Sequence, residues 1–387
     1  MTLTRSTSEA DDNQGVLLHE VTSDHRPEVT RETSQVVRIG SRRLRTTEVF
    51  DTYWRFAAAR QAIYLARIAD DPGPWTTDPI LRAHRFTNCY RAADRVSQYL
   101  IHEVAYCGSQ DVDEVVFRVL LFKMFNKIAT WELLVSQRDM PTWSDFNLDE
   151  YDRILSAAFE GGRRLYSPAY VIPPPAMGAE RKHTNHLLLL QHMMQERLPR
   201  MLQAAPTMAD AYHILRSFPA IGDFLAFQFL IDINYSTALD FDEMDYVVAG
   251  PGARDGIRKC FGPDSSGLES KIIEYMAEYQ DEHFDRLGLR FAGLFGRKLQ
   301  LVDCQNLFCE VDKYARVAHP HIHGRSSRTR IKQKFAPVME RVPVWFPPKW
   351  GLNDVLPKTS RRTSERGYHP APLGSPGPTG VQAALPW

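Results

Sequence analysis

The sequence predicts an all-α fold. Apolar residues recur at three- and four-residue steps through most of the chain between Phe50 and Arg316, and neither a convincing alternating strand nor an internal repeat emerges. Residues that start and stop helices punctuate those periodic stretches.

Met1 to about Arg45 is rich in Thr, Ser, Glu, Asp and Arg and poor in large apolar residues. Such a segment buries too little surface to offset its chain entropy, so residues 1–45 read as a disordered arm. Tyr53, Phe56, Ala57, Ile63, Tyr64 and Ile68 form one face of the first helix, with Arg55, Arg60 and Arg67 on the other. Asp78-Pro79 starts a second helix that runs through Phe86, Tyr90, Val96 and Leu100. The stretch from Val115 to Leu134 is apolar enough to be one central buried helix, interrupted by Lys123, Asn126 and Lys127. Further helices are expected over residues 148–160, 186–201, 208–218, 222–233, 268–287 and 305–316. Ile172-Pro173-Pro174-Pro175 reads as a stiff connector inside a domain spanning 46–325. Residues 326–387 read as a basic, then Pro-rich, disordered tail, because Pro347, Pro348 and the prolines of 370–378 withhold backbone donors.

The 387 residues include 47 Lys and Arg against 47 Asp and Glu, so no global basic excess announces a nucleic-acid partner. Any phosphate affinity rests on local clusters: Arg42, Arg43 and Arg45, then residues 82–95, then 325–334. Cysteines at 89, 107, 260, 304 and 309 form no CxxC pair, which fits a reducing, intracellular compartment. No apolar run approaches the roughly eighteen residues of a membrane span, and residues 1–45 lack a signal-peptide core, so no membrane partner is expected. His319, His321 and His323 alternate beside Pro320 as a metal clip would, but no further ligand accompanies them; an exposed loop is the reading, and neither metal nor other cofactor is expected.

The strongest functional signal lies between Leu215 and Gly256. Phe218-Pro219-Ala220-Ile221-Gly222 joins the end of one helix to the start of the next, the sequence form of a helix-hairpin-helix at about 215–233. Pro219 fixes φ, while Gly222 admits a partner closely and leaves the first amides of the new helix to hold a phosphate. An ordinary connection in a helical bundle has the same form. Beyond it, Asp242-Glu243-Met244-Asp245-Tyr246 supplies carboxylates able to stabilise a sugar cation or activate a nucleophile once a base is extruded. The competing reading of such an Asp is a helix N-cap.

That order resembles the helix-hairpin-helix DNA glycosylases, in which an Asp just after the module faces the flipped nucleotide. Asp245 matches it by its Met-Asp-x-Val context, and Asp242 is the competing alignment. Where members with lyase activity carry a Schiff-base Lys, this chain has Phe224, so the resemblance implies no strand cleavage.

More specific strings are Arg85 to Arg91 (RFTNCYR), Asp94 to Leu100 (DRVSQYL), Phe125-Asn126-Lys127, Phe218 to Gly222 (FPAIG), Ala249 to Arg254 (AGPGAR) with Lys259-Cys260-Phe261, and Cys309 to Tyr314 (CEVDKY). Together, over about Phe50 to Arg316, they resemble the helical domain of 5-hydroxymethyl-deoxyuridine (5-hmdU) DNA kinases. They resemble equally its relatives named α-glutamyl/putrescinyl-thymine pyrophosphorylases or amino acid:DNA transferases.

The resemblance implies work on hypermodified thymines in double-stranded DNA with a flipped base, beside a separate hydroxymethyluracil DNA kinase. A GxxxxGK[ST] string, which a P-loop kinase needs, does not occur in the sequence. In that setting Arg85, Asn88, Arg91 and Arg95 would face phosphate, with Pro219 and Gly222 at the hairpin and Asn126 and Lys127 at a cleft. Tyr90 or Tyr246 would stack on the base, and Gly250 and Gly252 would let backbone approach it. Asp245 or Asp242 would be the catalytic carboxylate. Each has a plainer reading: surface ion pairs for the arginines, core packing for the tyrosines, and a helix-surface ion network for Glu310, Asp312 and Lys313. The leading function is transfer of an amine or amino acid to an activated hydroxymethyluracil with release of pyrophosphate. The alternatives are a monofunctional glycosylase and a non-catalytic DNA-binding module partnering a kinase.

Overall fold

Local capping chemistry sets most of the element boundaries in the computed structural model, which describes residues 34–168, 172–336 and 344–357. Val36–Ile39 (β1) and Arg42–Arg45 (β2) pair antiparallel, Val36 opposite Arg45 and Ile39 opposite Arg42. Gly40 turns the hairpin at φ +57°. Thr47 then caps α1 (Glu48–Ile68) by accepting from the Val49 amide at 3.1 Å. Asp78 and Pro79 start α2 (Pro79–Ala83), a 3₁₀ turn covers Arg91–Ala93, and α3 (Arg95–Tyr99) passes into a π-helical turn over Leu100–Ala105. The chain continues with α4 (Val112–Phe125), α5 (Ile128–Arg138), α6 (Leu148–Glu160), α7 (Lys182–Gln195), α8 (Leu198–Gln203), α9 (Met208–Arg216) and α10 (Asp223–Asn234). After a long loop come α11 (Pro251–Phe261), α12 (Glu269–Glu278), α13 (Gln280–Arg286) and α14 (Leu301–Ala318).

Two helices organise the core. α4 is buried along almost its whole length and packs on α7, α8 and α10, while α14 packs on α1, α11 and α12. α11 and α14 touch most closely: a Cβ on Gly256 would stand 2.0 Å from the Phe308 carbonyl oxygen, so only glycine permits this crossing.

The all-α expectation holds, with six differences, one being that the helix expected over 268–287 divides at Tyr279 into α12 and α13. The arm drawn to Arg45 gives way at residue 34 to the hairpin, whose inward Val37, Ile39 and Leu44 sit among Arg residues and are too few for periodicity to reveal. The helix expected from Asp78 to Leu100 ends at Ala83, because His84 to Phe86 runs extended against residues 333–335 and Asn88 is clamped to Asp94. The single helix over 115–134 breaks where Asn126 turns left-handed at φ 48°, and that over 186–201 breaks at Arg197, φ 58°. The tail drawn from 326 is ordered at least in part: Ser326 and Arg328 bind Asp255, and Val344, Phe346, Leu352 and Leu356 are buried. The parts of the expected arm and tail at 1–33, 337–343 and 358–387 lie outside the described residues.

Candidate functional site

The α9–α10 connection presents its turn to solvent. Phe218 and Ile221 anchor it in the core, while Pro219, Ala220 and Gly222 are exposed and Ala220 takes a left-handed φ of 60°. Gly222 is the N-cap of α10, no side chain caps that helix, and nothing lies within 4 Å of where a Gly222 Cβ would be. A partner can therefore reach the helix start. Asp223 in the first turn opposes an incoming anion, and Arg216, 2.6 Å away, offsets it.

α10 leads to the loop 240–250. Asp242 caps the Met244 amide at 2.9 Å, and the Asp245 amide returns to the Asp242 carbonyl at 3.1 Å. Both carboxylates stand on the solvent side, Asp245 beside an open depression formed with residues 206–209. The inward carboxylate of this loop is Glu243, only 4% exposed. Tyr246 is half-buried against Tyr212 and Phe227, near the hairpin.

Glu243 belongs to a buried, ion-paired cluster, the charge chamber of this domain. Arg297 lies 3.3 Å from its Oε1. On the far side, Arg91 grips Asp232 with two hydrogen bonds of 2.7 and 2.8 Å and donates to Gln228 Oε1 at 3.0 Å. Lys123 reaches the second Asp232 oxygen at 2.9 Å and donates to Asn126 Oδ1 at 2.9 Å. The Arg91 amide donates to Asp303 Oδ1, and that carboxylate also closes the capping box that starts α14. Two polar atoms in the chamber, Tyr235 Oη and Arg297 Nε, are buried with no hydrogen-bond partner among the described residues. Buried polar groups are rarely left so.

Burial pushes the Glu243 carboxyl up to about 7 against the pull of Arg297, and the Asp303 carboxyl to about 6 against the Arg91 amide. Burial likewise lifts Asp94, outside the chamber, to about 7 against the Asn88 amide that binds it. These carboxyls hold protons more tightly folded than unfolded, where they titrate near about 4. Their stabilisation is complete below that value and is lost as pH rises through 6 and 7. We expect a higher melting temperature at pH 5.5 than at pH 8 in scanning calorimetry, a difference that Glu243→Gln reduces; an unchanged melting temperature across that range counts against the assignment.

The expected site residues divide sharply. Arg91 and Asn126 belong to the chamber, as does Lys123, which had stood out only as an interruption of an apolar helix. Arg85 and Arg95 are exposed, with the Arg85 carbonyl accepting from Lys313. Asn88 holds its own loop by donating to the Ala93 carbonyl and accepting from Arg60, and Lys127 donates to the Arg164 carbonyl. Tyr90 is a core residue: it is 1% exposed and its hydroxyl donates to the Arg297 carbonyl at 2.6 Å. Gly250 and Gly252 likewise face protein, the first against Phe224 and the second against Cys309, so their missing side chains admit helix neighbours at those positions.

The sequence does not single out Asp232, Arg297 or Asp303, and it ranks Glu243 behind the neighbouring aspartates. Asp232 carried a signal, being a lone carboxylate in the apolar run Phe227 to Ile233 that must find a cation when buried. The basic stretch 325–334 is partly committed, Arg325 to Glu269 and Arg328 to Asp255, around a cavity of about 290 Å³ at the ends of α11 and α14. Glu310 pairs with Lys313 at 2.7 Å, and Asp312 with Lys259 at 2.9 Å and with Arg316. His319 and His321 both face Glu48.

Fold and site together define an all-α domain in which α10 starts at an exposed helix–turn–helix connection and carries Asp232 into a buried, ion-paired cluster. The chain belongs to the family of the 5-hmdU DNA kinase helical domain, whose model matches residues 47–324. It is 23% identical over 287 residues to a 5-hmdU DNA kinase of Bacillus phage SP10, an overlap covering 69% of this chain and 45% of that protein. The chain thus spans less than half the length of that relative. No solved structure matches it significantly. The family is named for kinases of 5-hmdU in DNA. No described helix is long and apolar enough to cross a membrane.

Proposed function

We propose that the domain modifies an extruded 5-hydroxymethylpyrimidine in DNA, transferring an amine or amino acid to the activated hydroxymethyl carbon with release of pyrophosphate. The observation that carries the reading is the inward Glu243, poised near neutrality opposite Arg297, in the loop that follows the helix α10 begun by the exposed α9–α10 turn. In the transfer, the bond from the methylene carbon to the pyrophosphate oxygen breaks and a carbon–nitrogen bond forms. The amine proton passes to Glu243, and the departing oxyanion is met by Arg297 and the Arg91–Lys123 pair. Carboxylates poised near the working pH are suited to such proton transfer. The α9–α10 turn would hold the DNA backbone, with Asp242 and Asp245 on the solvent side of the same loop. A separate hydroxymethyluracil DNA kinase would supply the activated base.

Duplexes bearing thymine, 5-hydroxymethyluracil or its pyrophosphate are incubated with the protein, with and without amines, and the nucleosides are analysed by mass. The expected product is an amine-substituted thymine nucleoside from the pyrophosphorylated duplex alone. Glu243→Gln should lower its formation by about 10²- to 10³-fold, the range of a lost general base. Asp245→Asn should leave it within a few-fold, and Gly222→Glu should abolish duplex binding. Free base and abasic DNA would establish excision instead; binding without any product would leave a non-catalytic module.

A further inference from the structure

The segment 344–357 sits against the chamber, and its contacts separate into two kinds. Within itself it is a small folded unit: Asn353 brackets Phe346, accepting from its amide at 2.9 Å and donating to its carbonyl at 2.8 Å. Trp350 and Gly351 close turns onto Pro347 and Pro348. Toward the body, no backbone-to-backbone hydrogen bond is made among the described residues. The Trp345 amide donates to Gln98 Oε1 at 2.7 Å, and Lys349 donates to the carbonyls of Asn234 and Leu239, each at 2.6 Å. Val344, Phe346, Leu352 and Leu356 anchor the segment in the core and Lys349 also pairs with Asp240 at 3.3 Å, so the turn between Phe346 and Leu352 can swing out without breaking a backbone ladder.

Trp350 is the part of it that meets the chamber. Its indole lies over the Arg297 guanidinium, 4.1 Å from centroid to carbon, and edge-on to Tyr235 at 5.5 Å and 88°. An indole offers no acceptor to either neighbour, since its one polar group is a donor. Tyr235 Oη and Arg297 Nε are the two atoms left without partners there. A slot floored by a guanidinium face and walled by a phenol whose hydroxyl lacks a partner suits a planar ring that carries a carbonyl oxygen.

We propose that the Pro347–Gly351 turn is a removable plug and that Trp350 stands in a nucleobase-binding slot. A pyrimidine would stack on the Arg297 guanidinium there, with a carbonyl oxygen accepting from Tyr235 Oη. This rests on the reading of the domain as a base-modifying one but not on its chemistry or on DNA binding, so the test uses a free nucleoside. Binding of 5-hydroxymethyl-2′-deoxyuridine to the full chain is measured by calorimetry for wild type, Trp350→Phe, Trp350→Ala and Lys349→Ala/Trp350→Ala.

The expected result is at least a tenfold gain in affinity for the two alanine variants over wild type, with Trp350→Phe near wild type. Equal affinity in all four, or no binding by any, overturns the slot. Wild-type hydrogen exchange provides a measurement free of variants: the amides of Trp345, Phe346, Trp350 and Gly351 should exchange at least a hundredfold faster than the centres of α10 and α14. Exchange of those amides only by global unfolding overturns the plug. Nucleoside binding without conversion of duplex substrates would leave the slot standing and remove the reaction proposed above.

Discussion

Gly256→Ala should cost about 3 kcal/mol of folding stability or more, the upper end of what overpacking a core costs, and urea titration followed by circular dichroism will show it. Two effects of opposite sign meet at this position. Alanine is the better helix former by about 1 kcal/mol, which alone would stabilise α11. Against that, its Cβ would stand 2.0 Å from the Phe308 carbonyl oxygen and 2.7 Å from the carbonyl carbon. Those are backbone atoms of α14, so the contact is relieved only by moving one helix off the other. Because α11 and α14 form the closest helix pair of the core, the shift would open contacts along both. Gly252→Ala is the control: its Cβ would meet the Cys309 sulfur at 3.1 Å, a contact a small adjustment relieves, so a loss of about 1 kcal/mol or less is expected. Equal losses in the two variants would refute the close-approach account of Gly256.

Legibility in the sequence followed how local the cause was. Helices set by a local cap could be read closely: α6 runs over the expected 148–160, started by Asn147 accepting from the Glu150 amide. The breaks at Asn126 and Arg197 were not, because the sequence shows apolar periodicity continuing through both and only tertiary packing selects a left-handed residue there. Gly250 and Gly252 do permit close approach, but to Phe224 and Cys309, neighbours set by tertiary packing that the sequence does not show. The chamber was the least legible feature. Arg91, Lys123, Asp232, Glu243, Arg297 and Asp303 come from six places in the chain, and no local pattern announces which carboxylate will meet which cation. Within Asp242-Glu243-Met244-Asp245 the sequence ranks the aspartates first, whereas the turn at Asp242 points them outward and Glu243 in.

Asp232→Asn should be among the most damaging substitutions in the chain, because it removes the one carboxylate that Arg91 and Lys123 share. The Asp232 side chain is 1% exposed and neutralises Arg91 and Lys123, whose side chains are 6% and 5% exposed. Removing one partner from a buried ion cluster typically costs about 3–5 kcal/mol, since the remaining charge is neither solvated nor paired. Replacing the whole cluster with Leu at 232 and Met at 91 and 123 removes that penalty, so the triple variant should regain most of the loss. It should also lose base conversion entirely, which separates the cluster's role at the site from its role in folding. The pH dependence provides a second signature. Burial alone would raise the Asp232 carboxyl, but Arg91 and Lys123 outweigh it and hold it below the ordinary range. A depressed carboxyl contributes stability above its unfolded value near about 4 and loses it as pH falls through the folded one. Wild type should therefore weaken on acidification below about pH 4, and the triple variant should show a shallower acid limb in equilibrium unfolding. If instead the triple variant is no more stable than Asp232→Asn, the stranded charges are not what destabilises the single variant, and packing around α10 must be the cause.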